Sequence, residues 1–202
     1  TIIEGVSSQL NIQIAGSPIG TSILAGSEAL LLCPLLIYMR RSGINRVQLG
    51  IYVQSRRQAL TDLLVGLSIG LLMLPISFLA SALNELVLGP EPGAQYINKA
   101  FTATSPIEGI LLCSSIVLIV APVEEVVVRG FVQQGLERSH GKYKGLLIAS
   151  IFFAIMHLSL WSIFPLTLMG IVIGLCFQLR NRRIIAPIAS HACYMVGLVL
   201  LL

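Results

Sequence analysis

Long apolar runs separated by short polar segments dominate the hydropathy pattern of the chain. Such runs are too continuous for the alternating pattern of β-strands, and most approach the roughly 20 residues that a helix needs to cross a bilayer. The pattern predicts membrane spans at about residues 20–39, 59–82, 107–136, 145–163, 165–180 and 184–202. We therefore expect an all-α fold, a polytopic transmembrane helix bundle with about six spans.

Two of the predicted spans are irregular. The third, 107–136, is too long for one simple crossing and contains Pro122, where a kink is expected because proline removes a backbone donor. The fifth, 165–180, is short and contains two glycines. A turn near Pro165 is predicted to separate it from the fourth span.

Composition narrows the class of protein. Of the 202 residues, 55% are apolar and 11% are charged, whereas an ordinary soluble domain has about 25% charged residues. So few polar side chains cannot cover a globular surface, which excludes a soluble enzyme, a disordered chain and a nucleic-acid-binding domain. We expect an integral membrane protein surrounded by lipid bilayer, in a prokaryotic cell membrane or an organelle membrane derived from one, with no nucleic-acid partner.

The positive charges alternate from one connection to the next. Connections 40–58, 137–144 and 180–183 are rich in Lys and Arg, whereas 83–106 is poor in them. Because cytoplasmic loops carry the excess of Lys and Arg, we expect the basic connections in the cytoplasm and 83–106 on the opposite side. Residues 1–19 are then expected to form an external segment.

Ionisable residues inside the predicted spans are the candidates for function, since charge at bilayer depth is costly. Glu125 and Arg129 are four residues apart, so they share a helix face and can pair. Glu124 points about 100° away from Glu125 on a regular helix and is free for chemistry. The alternative is that the whole cluster is a structural ion network at the end of a helix.

His157 and His191 lie in later spans. Counted from the basic connections, Glu124 and His157 each lie ~18 Å deep and His191 ~10 Å deep, at 1.5 Å per residue. We therefore expect Glu124, His157 and His191 to converge on one water-accessible point. The alternative for each histidine is a hydrogen-bonded residue of the core.

A carboxylate beside two imidazoles suits acid–base chemistry. The carboxylate can take a proton from water, while the imidazoles orient that water or stabilise an oxyanion. Two histidines and one carboxylate also resemble a metal site. The chain has no HExxH pair, so a divalent metal at Glu124, His157 and His191 is the alternative, and no metal or other cofactor is favoured.

Three motifs connect these residues. EExxxR, FxxxH and the first half of HxxxN occur in this order, and the residues that carry them are Glu124, Glu125, Arg129, Phe153, His157 and His191. In these motifs the chain resembles the CAAX protease and bacteriocin-processing family of intramembrane endopeptidases, also called the Abi or type II CAAX protease family. The third motif departs from the family pattern, since Met195 stands where the family has Asn.

The resemblance implies an intramembrane protease that hydrolyses a peptide or membrane-protein substrate near the cytoplasmic membrane face. It implies that Glu124 is the base that activates water, that His157 assists it, and that His191 stabilises the oxyanion. It also assigns Glu125 and Arg129 to structural support.

Two regions are expected on this basis. Residues 107–202 form the protease-like core with the three motifs, and residues 1–106 contain an N-terminal segment and the first two spans. The oligomeric state is left open.

Met195 raises an alternative function. Methionine cannot donate a hydrogen bond, and removal of one oxyanion donor typically costs ~10²–10³ in rate. The alternative is a catalytically weak or inactive relative that acts as a membrane binding partner or as an immunity or assembly factor. A transporter with a Glu/His proton relay is disfavoured, since the chain lacks paired segments with Gly or Pro breaks.

Overall fold

The computed structural model describes residues 17–92 and 94–201. Within these ranges the chain forms helices and no strand. The helices are α1 (Pro18–Ser42), α2 (Arg56–Leu88), α3 (Ala94–Phe101), α4 (Pro106–His140), α5 (Lys142–Ile155), α6 (Leu160–Leu179) and α7 (Ile185–Leu201). The predicted external segment 1–19 lies almost wholly outside the described residues.

Four of these helices, α1, α2, α4 and α6, are long and apolar enough to cross a membrane, and α7 is a shorter apolar helix. Helix α5, between α4 and α6, has 14 residues. The predicted all-α class of polytopic membrane protein is therefore confirmed, and about six spans agree with this set of helices.

The position of the turn between the fourth and fifth spans was predicted wrongly. Helix α5 ends at Ile155 rather than near residue 163, and Leu158 has a positive φ of 53° in the turn that follows. Pro165 lies inside α6. Proline cannot donate to the carbonyl four residues earlier, and that carbonyl, of Trp161, instead accepts a hydrogen bond from Asn84 Nδ2 at 2.7 Å.

Helix α4 is irregular around Pro122, as its sequence predicts. It continues for 35 residues, with π-helical segments at Ile116–Val120 and Val126–Gln133 on either side of a short α-helical piece. Such wide turns are frequent at functional sites, because they change the direction in which side chains leave the helix.

Helices α2 and α7 pack closely through glycines. A Cβ on Gly66 would lie 2.5 Å from the carbonyl oxygen of Ala186, and a Cβ on Gly70 would lie 2.6 Å from that of Ser190. Small residues at such positions let the backbones of membrane helices approach each other. Met73 continues this interface into a buried cluster with residues of α6 and α7, namely Met169, Ile173 and Tyr194.

The three basic connections meet at one end of the bundle. The backbone amide of Ile184 donates to Gly50 O at 3.1 Å, and Tyr52 Oη donates to Asn181 O at 3.2 Å. Arg182 pairs with Glu137 near the end of α4 at 2.5 Å. Their shared position agrees with one membrane side for all three, and the cytoplasmic assignment of that side stays a prediction.

A buried carboxylate anchors the same end. Asp62 of α2 is fully buried and pairs with Arg180 at 2.6 Å and with Arg183 at 2.7 Å. These bonds raise the pKa of Arg183 above its usual range, because its hydrogen bond to Asp62 stabilises the charged guanidinium. The start of α7, which carries His191, is thereby fixed against α2.

Candidate active site

Helix α4 contributes a fully buried ion pair to the site. Glu125 is 0% exposed and Arg129 is 1% exposed, and Arg129 Nε lies 3.2 Å from Glu125 Oε2. The two residues are one helical turn apart, which is the spacing that predicts their pairing. The guanidinium makes no well-directed hydrogen bond to any described residue, so the attraction is mainly between the charges.

Helix α7 places His191 between the two glutamates. His191 Nδ1 lies 2.9 Å from Glu125 Oε1, and His191 Nε2 lies 3.8 Å from Glu124 Oε2. A carboxylate oxygen accepts hydrogen bonds, so His191 Nδ1 carries the proton and donates it to Glu125 Oε1. This bond fixes the orientation of the ring and leaves Nε2 on the side of Glu124.

His157 reaches the site from the turn after α5. Its Nδ1 donates to the backbone carbonyl of Phe153 at 2.9 Å. The prediction that His157 lies inside a continuous span is wrong, because α5 ends two residues earlier and the residue is exposed. The bond from Nδ1 leaves Nε2 available, and the open turn leaves the ring accessible.

Phe153 is the aromatic wall that links these groups. Its ring lies 4.9 Å from the ring of His157 and 6.0 Å from that of His191, in edge-to-face geometry. Arg129 Cζ lies 4.8 Å from the centre of the same ring, a cation–π contact. In the sequence Phe153 is recognisable only as a motif residue, and the structure shows which groups it contacts.

Glu124, His157 and His191 line one cavity of about 290 Å³. Met195 and Tyr194 also line it, and most of the remaining wall is apolar. The Glu124 side chain is 17% exposed, and its Oε2 has no hydrogen-bond partner among the described residues. The cavity therefore brings together the three residues predicted to converge on one point.

The end of α2 and the segment after it hold the His157 turn in place through contacts that the sequence does not predict. Ser159 Oγ donates to Glu91 Oε1 at 2.7 Å, and Trp161 Nε1 donates to Gly89 O at 2.9 Å. Asn84 adds its bond to the Trp161 carbonyl. The polar residues at the end of a long apolar helix were the available signal, but their partners lie about 70 residues away in the sequence.

The described residues contain no group of three or more His, Cys, Asp or Glu side chains arranged to hold a metal ion. Glu124, His157 and His191 share a cavity, but Nδ1 of each histidine already donates to an oxygen. A metal would have to be held by Nε2 of both rings together with Glu124. The metal alternative stays untested, and no step of the proposed reaction uses it.

The fold and the site define an integral membrane protein of helical type with a Glu–His cavity inside its bundle. The family model described as type II CAAX prenyl endopeptidase Rce1-like matches residues 106–196. The match spans all three motifs and confirms the predicted resemblance, so this region is similar to a family of membrane proteases. No curated protein and no solved structure matches the chain.

Proposed function

We propose that the protein is an intramembrane endopeptidase that hydrolyses a peptide bond with water activated by Glu124, near the cytoplasmic membrane face. The observation that carries the proposal is the shared cavity of Glu124, His157 and His191. The similarity of residues 106–196 to a protease family supports the same reaction class. The substrate is a peptide or a membrane-protein segment.

Glu124 is the general base of the proposed reaction. Its carboxylate takes a proton from water while the water oxygen attacks the carbonyl carbon of the substrate, and the carbonyl π electrons move to the oxygen. The tetrahedral intermediate then breaks its C–N bond, and the proton held by Glu124 passes to the leaving amine. The unpartnered Oε2 of Glu124 supports this role, because no hydrogen bond to a described residue competes for it.

The histidines stabilise the oxyanion and orient the water. His157 is held through Nδ1, so its Nε2 is the atom left for the reacting groups. His191 is held by Glu125 and, with both ring nitrogens protonated, donates from Nε2. An imidazolium at His191 also balances the cluster, since the positive charges of Arg129 and His191 then match the two glutamates.

Met195 leaves the oxyanion side without the amide donor of the family motif. Its side chain lines the cavity, but a thioether donates no hydrogen bond. Tyr194 lines the same cavity and is the residue we propose as the replacement donor. The hydroxyls of Ser115 and Thr21, also in the lining, donate to backbone carbonyls, that of Ser115 to Leu112 and that of Thr21 to Ser17 and Ala100.

The test compares membrane peptides from cells that produce the wild type, Glu124→Gln or Glu85→Gln. Glu85 is an exposed glutamate near the end of α2 and serves as the matched control. We expect cleavage products with the wild type and the control, and their loss with Glu124→Gln. Equal products from folded Glu124→Gln and wild type would exclude Glu124 as the base.

Met195 also favours a second candidate, a non-proteolytic relative that keeps the cavity for binding or assembly. The two candidates differ in the effect of Met195→Asn. A slow protease should become faster, because the restored amide donates to the oxyanion. A binding or assembly factor should show no cleavage in either form.

A further inference from the structure

A second cavity lies at the basic end of the bundle, between α1, the 43–55 connection and the last turns of α4. We call it the α1–α4 groove. It has a volume of about 370 Å³ and shares no lining residue with the candidate active-site cavity. Tyr38 and Phe131 form one apolar wall, with ring centres 5.3 Å apart, and Leu49 and Leu136 add to it.

Each element that forms this groove carries at least one arginine. Arg138 lines it, and Arg40, Arg41 and Arg46 lie in the two segments that form its other side. Residues 29–61 contain no acidic residue at all. Within the part of the chain that the structure describes, none of these four arginines has an ion-pair partner.

The nearby carboxylates are already neutralised. Asp62 is occupied by Arg180 and Arg183, and Glu137 is occupied by Arg182. The four arginines around the groove therefore keep their charge available for an external anion.

Neutral donors add to the charge. The backbone amide of Asn45 donates to Gln48 Oε1 at 2.8 Å, and that of Gln48 donates to Asn45 Oδ1 at 3.1 Å. These two bonds use the carbonyl oxygens of both side chains and fix the conformation of the turn at residues 45–48. No described residue accepts from either side-chain NH₂ group, so two further donors stand beside the groove.

We propose that the α1–α4 groove binds the headgroup phosphate of an anionic phospholipid. Arginine and amide N–H groups recognise phosphate oxygens directly. The apolar wall favours a lipid over free phosphate, because Tyr38 of that wall is 48% exposed and its neighbours on α1, Leu36 and Ile37, are 52% and 54% exposed. A lipid can cover this exposed apolar surface with an acyl chain while its phosphate reaches the arginines, as in basic headgroup pockets between membrane helices.

The experiment measures lipid binding to the purified full chain in detergent by native mass spectrometry. Phosphatidylglycerol and phosphatidylcholine with identical acyl chains are titrated separately. The test variant is R46Q/R138Q, which removes Arg138 of the lining and Arg46 of the 43–55 connection. The control is R56Q/R57Q, which removes the same charge from exposed residues of α2, a helix that does not line the groove. The melting temperatures of both variants are measured to establish that they remain folded.

We expect the wild type to prefer phosphatidylglycerol. R46Q/R138Q should lose roughly fivefold in affinity for each arginine removed, whereas R56Q/R57Q should stay within about twofold of the wild type. Equal losses in the two variants would overturn the site, since they indicate diffuse attraction to the basic end. Equal binding of both lipids by the wild type would also overturn it.

Two further measurements separate the possible occupants. In a W161F/F131W variant the only tryptophan of the chain lies in the groove wall. Phosphatidylglycerol with brominated acyl chains should quench its fluorescence more than phosphatidylcholine with the same chains. Glycerol phosphate added in excess should displace little lipid. Full displacement of the lipid by glycerol phosphate would identify a simple phosphate site. Full displacement by a short poly-glutamate peptide would identify a site for an acidic protein segment. Either result contradicts the lipid proposal.

Discussion

Glu125→Gln should destabilise the protein strongly, whereas Glu124→Gln should not. The two changes are chemically identical and one residue apart, so they form a matched pair. Glu125 is completely buried, and it contacts both Arg129 and His191. Glu124 is 17% exposed, and its nearest charged contact is the 3.8 Å distance to His191.

The magnitude follows from the charge that each change leaves behind. Two unit charges 3.2 Å apart, the distance between Arg129 Nε and Glu125 Oε2, attract by about 5 kcal/mol at an effective dielectric constant of 20. Removing one partner of a buried pair typically costs about 3–5 kcal/mol, because the other charge remains buried without compensation. At 2–4 °C per kcal/mol for a chain of this size, Glu125→Gln should lower the melting temperature by roughly 6–20 °C.

A thiol-reactive dye provides the assay. Cys176 is 3% exposed, so it reacts only after unfolding. The other cysteines, Cys33, Cys113 and Cys193, are at least partly exposed and are replaced by alanine in every variant. Equal decreases in melting temperature for Glu124→Gln and Glu125→Gln would refute the structural role of Glu125, as would a decrease below about 2 °C for Glu125→Gln.

Further predictions concern packing, topology and the reaction. Gly66→Val should lower the folded yield by forcing α2 away from α7, whereas Gly26→Ala, which meets nothing within 4 Å, should have little effect, as size-exclusion chromatography would show. Single cysteines at Ser139 and Asn98 should be labelled from opposite sides of the membrane, the first from the cytoplasm, and labelling from one side would contradict the topology. Met195→Asn should raise the cleavage rate, and Tyr194→Phe should lower it, in a peptide assay. If water activated by Glu124 is the nucleophile, EDTA should leave the cleavage rate unchanged. A complete loss of cleavage in EDTA that a divalent metal restores would favour the metal alternative.

The sequence predicts the helices well because an apolar run of bilayer length has few alternatives to a membrane-spanning helix, which satisfies all its backbone hydrogen bonds internally. It does not predict where α5 ends. Pro165 was the obvious break, yet α6 contains it, because Asn84 supplies the hydrogen bond that the proline cannot. That compensation depends on a contact between residues 77 positions apart in the sequence. Local helix propensity contains no information about such a contact.

The candidate site was predictable as a set of residues but not as an arrangement. Helical spacing indicates that Glu125 pairs with Arg129, and the two residues lie at ion-pair distance. The bond from His191 to Glu125 has no sequence signal, since it depends on how α7 packs against α4. Similarly, the exposure of His157 follows from the turn after α5 rather than from the depth counted along a continuous span.

The buried pair of Glu125 and Arg129 explains how three helices can hold one site with few polar groups. Glu125 joins α4 to α7 through His191, and Arg129 joins α4 to α5 through the ring of Phe153. Phe153 in turn contacts His157 through both its ring and its carbonyl oxygen. Each of the two histidines is therefore positioned by one member of the pair, directly or through a single residue. Glu124 lies beside the pair but outside it, and its Oε2 has no hydrogen-bond partner among the described residues, which agrees with the division of roles that the proposed reaction requires.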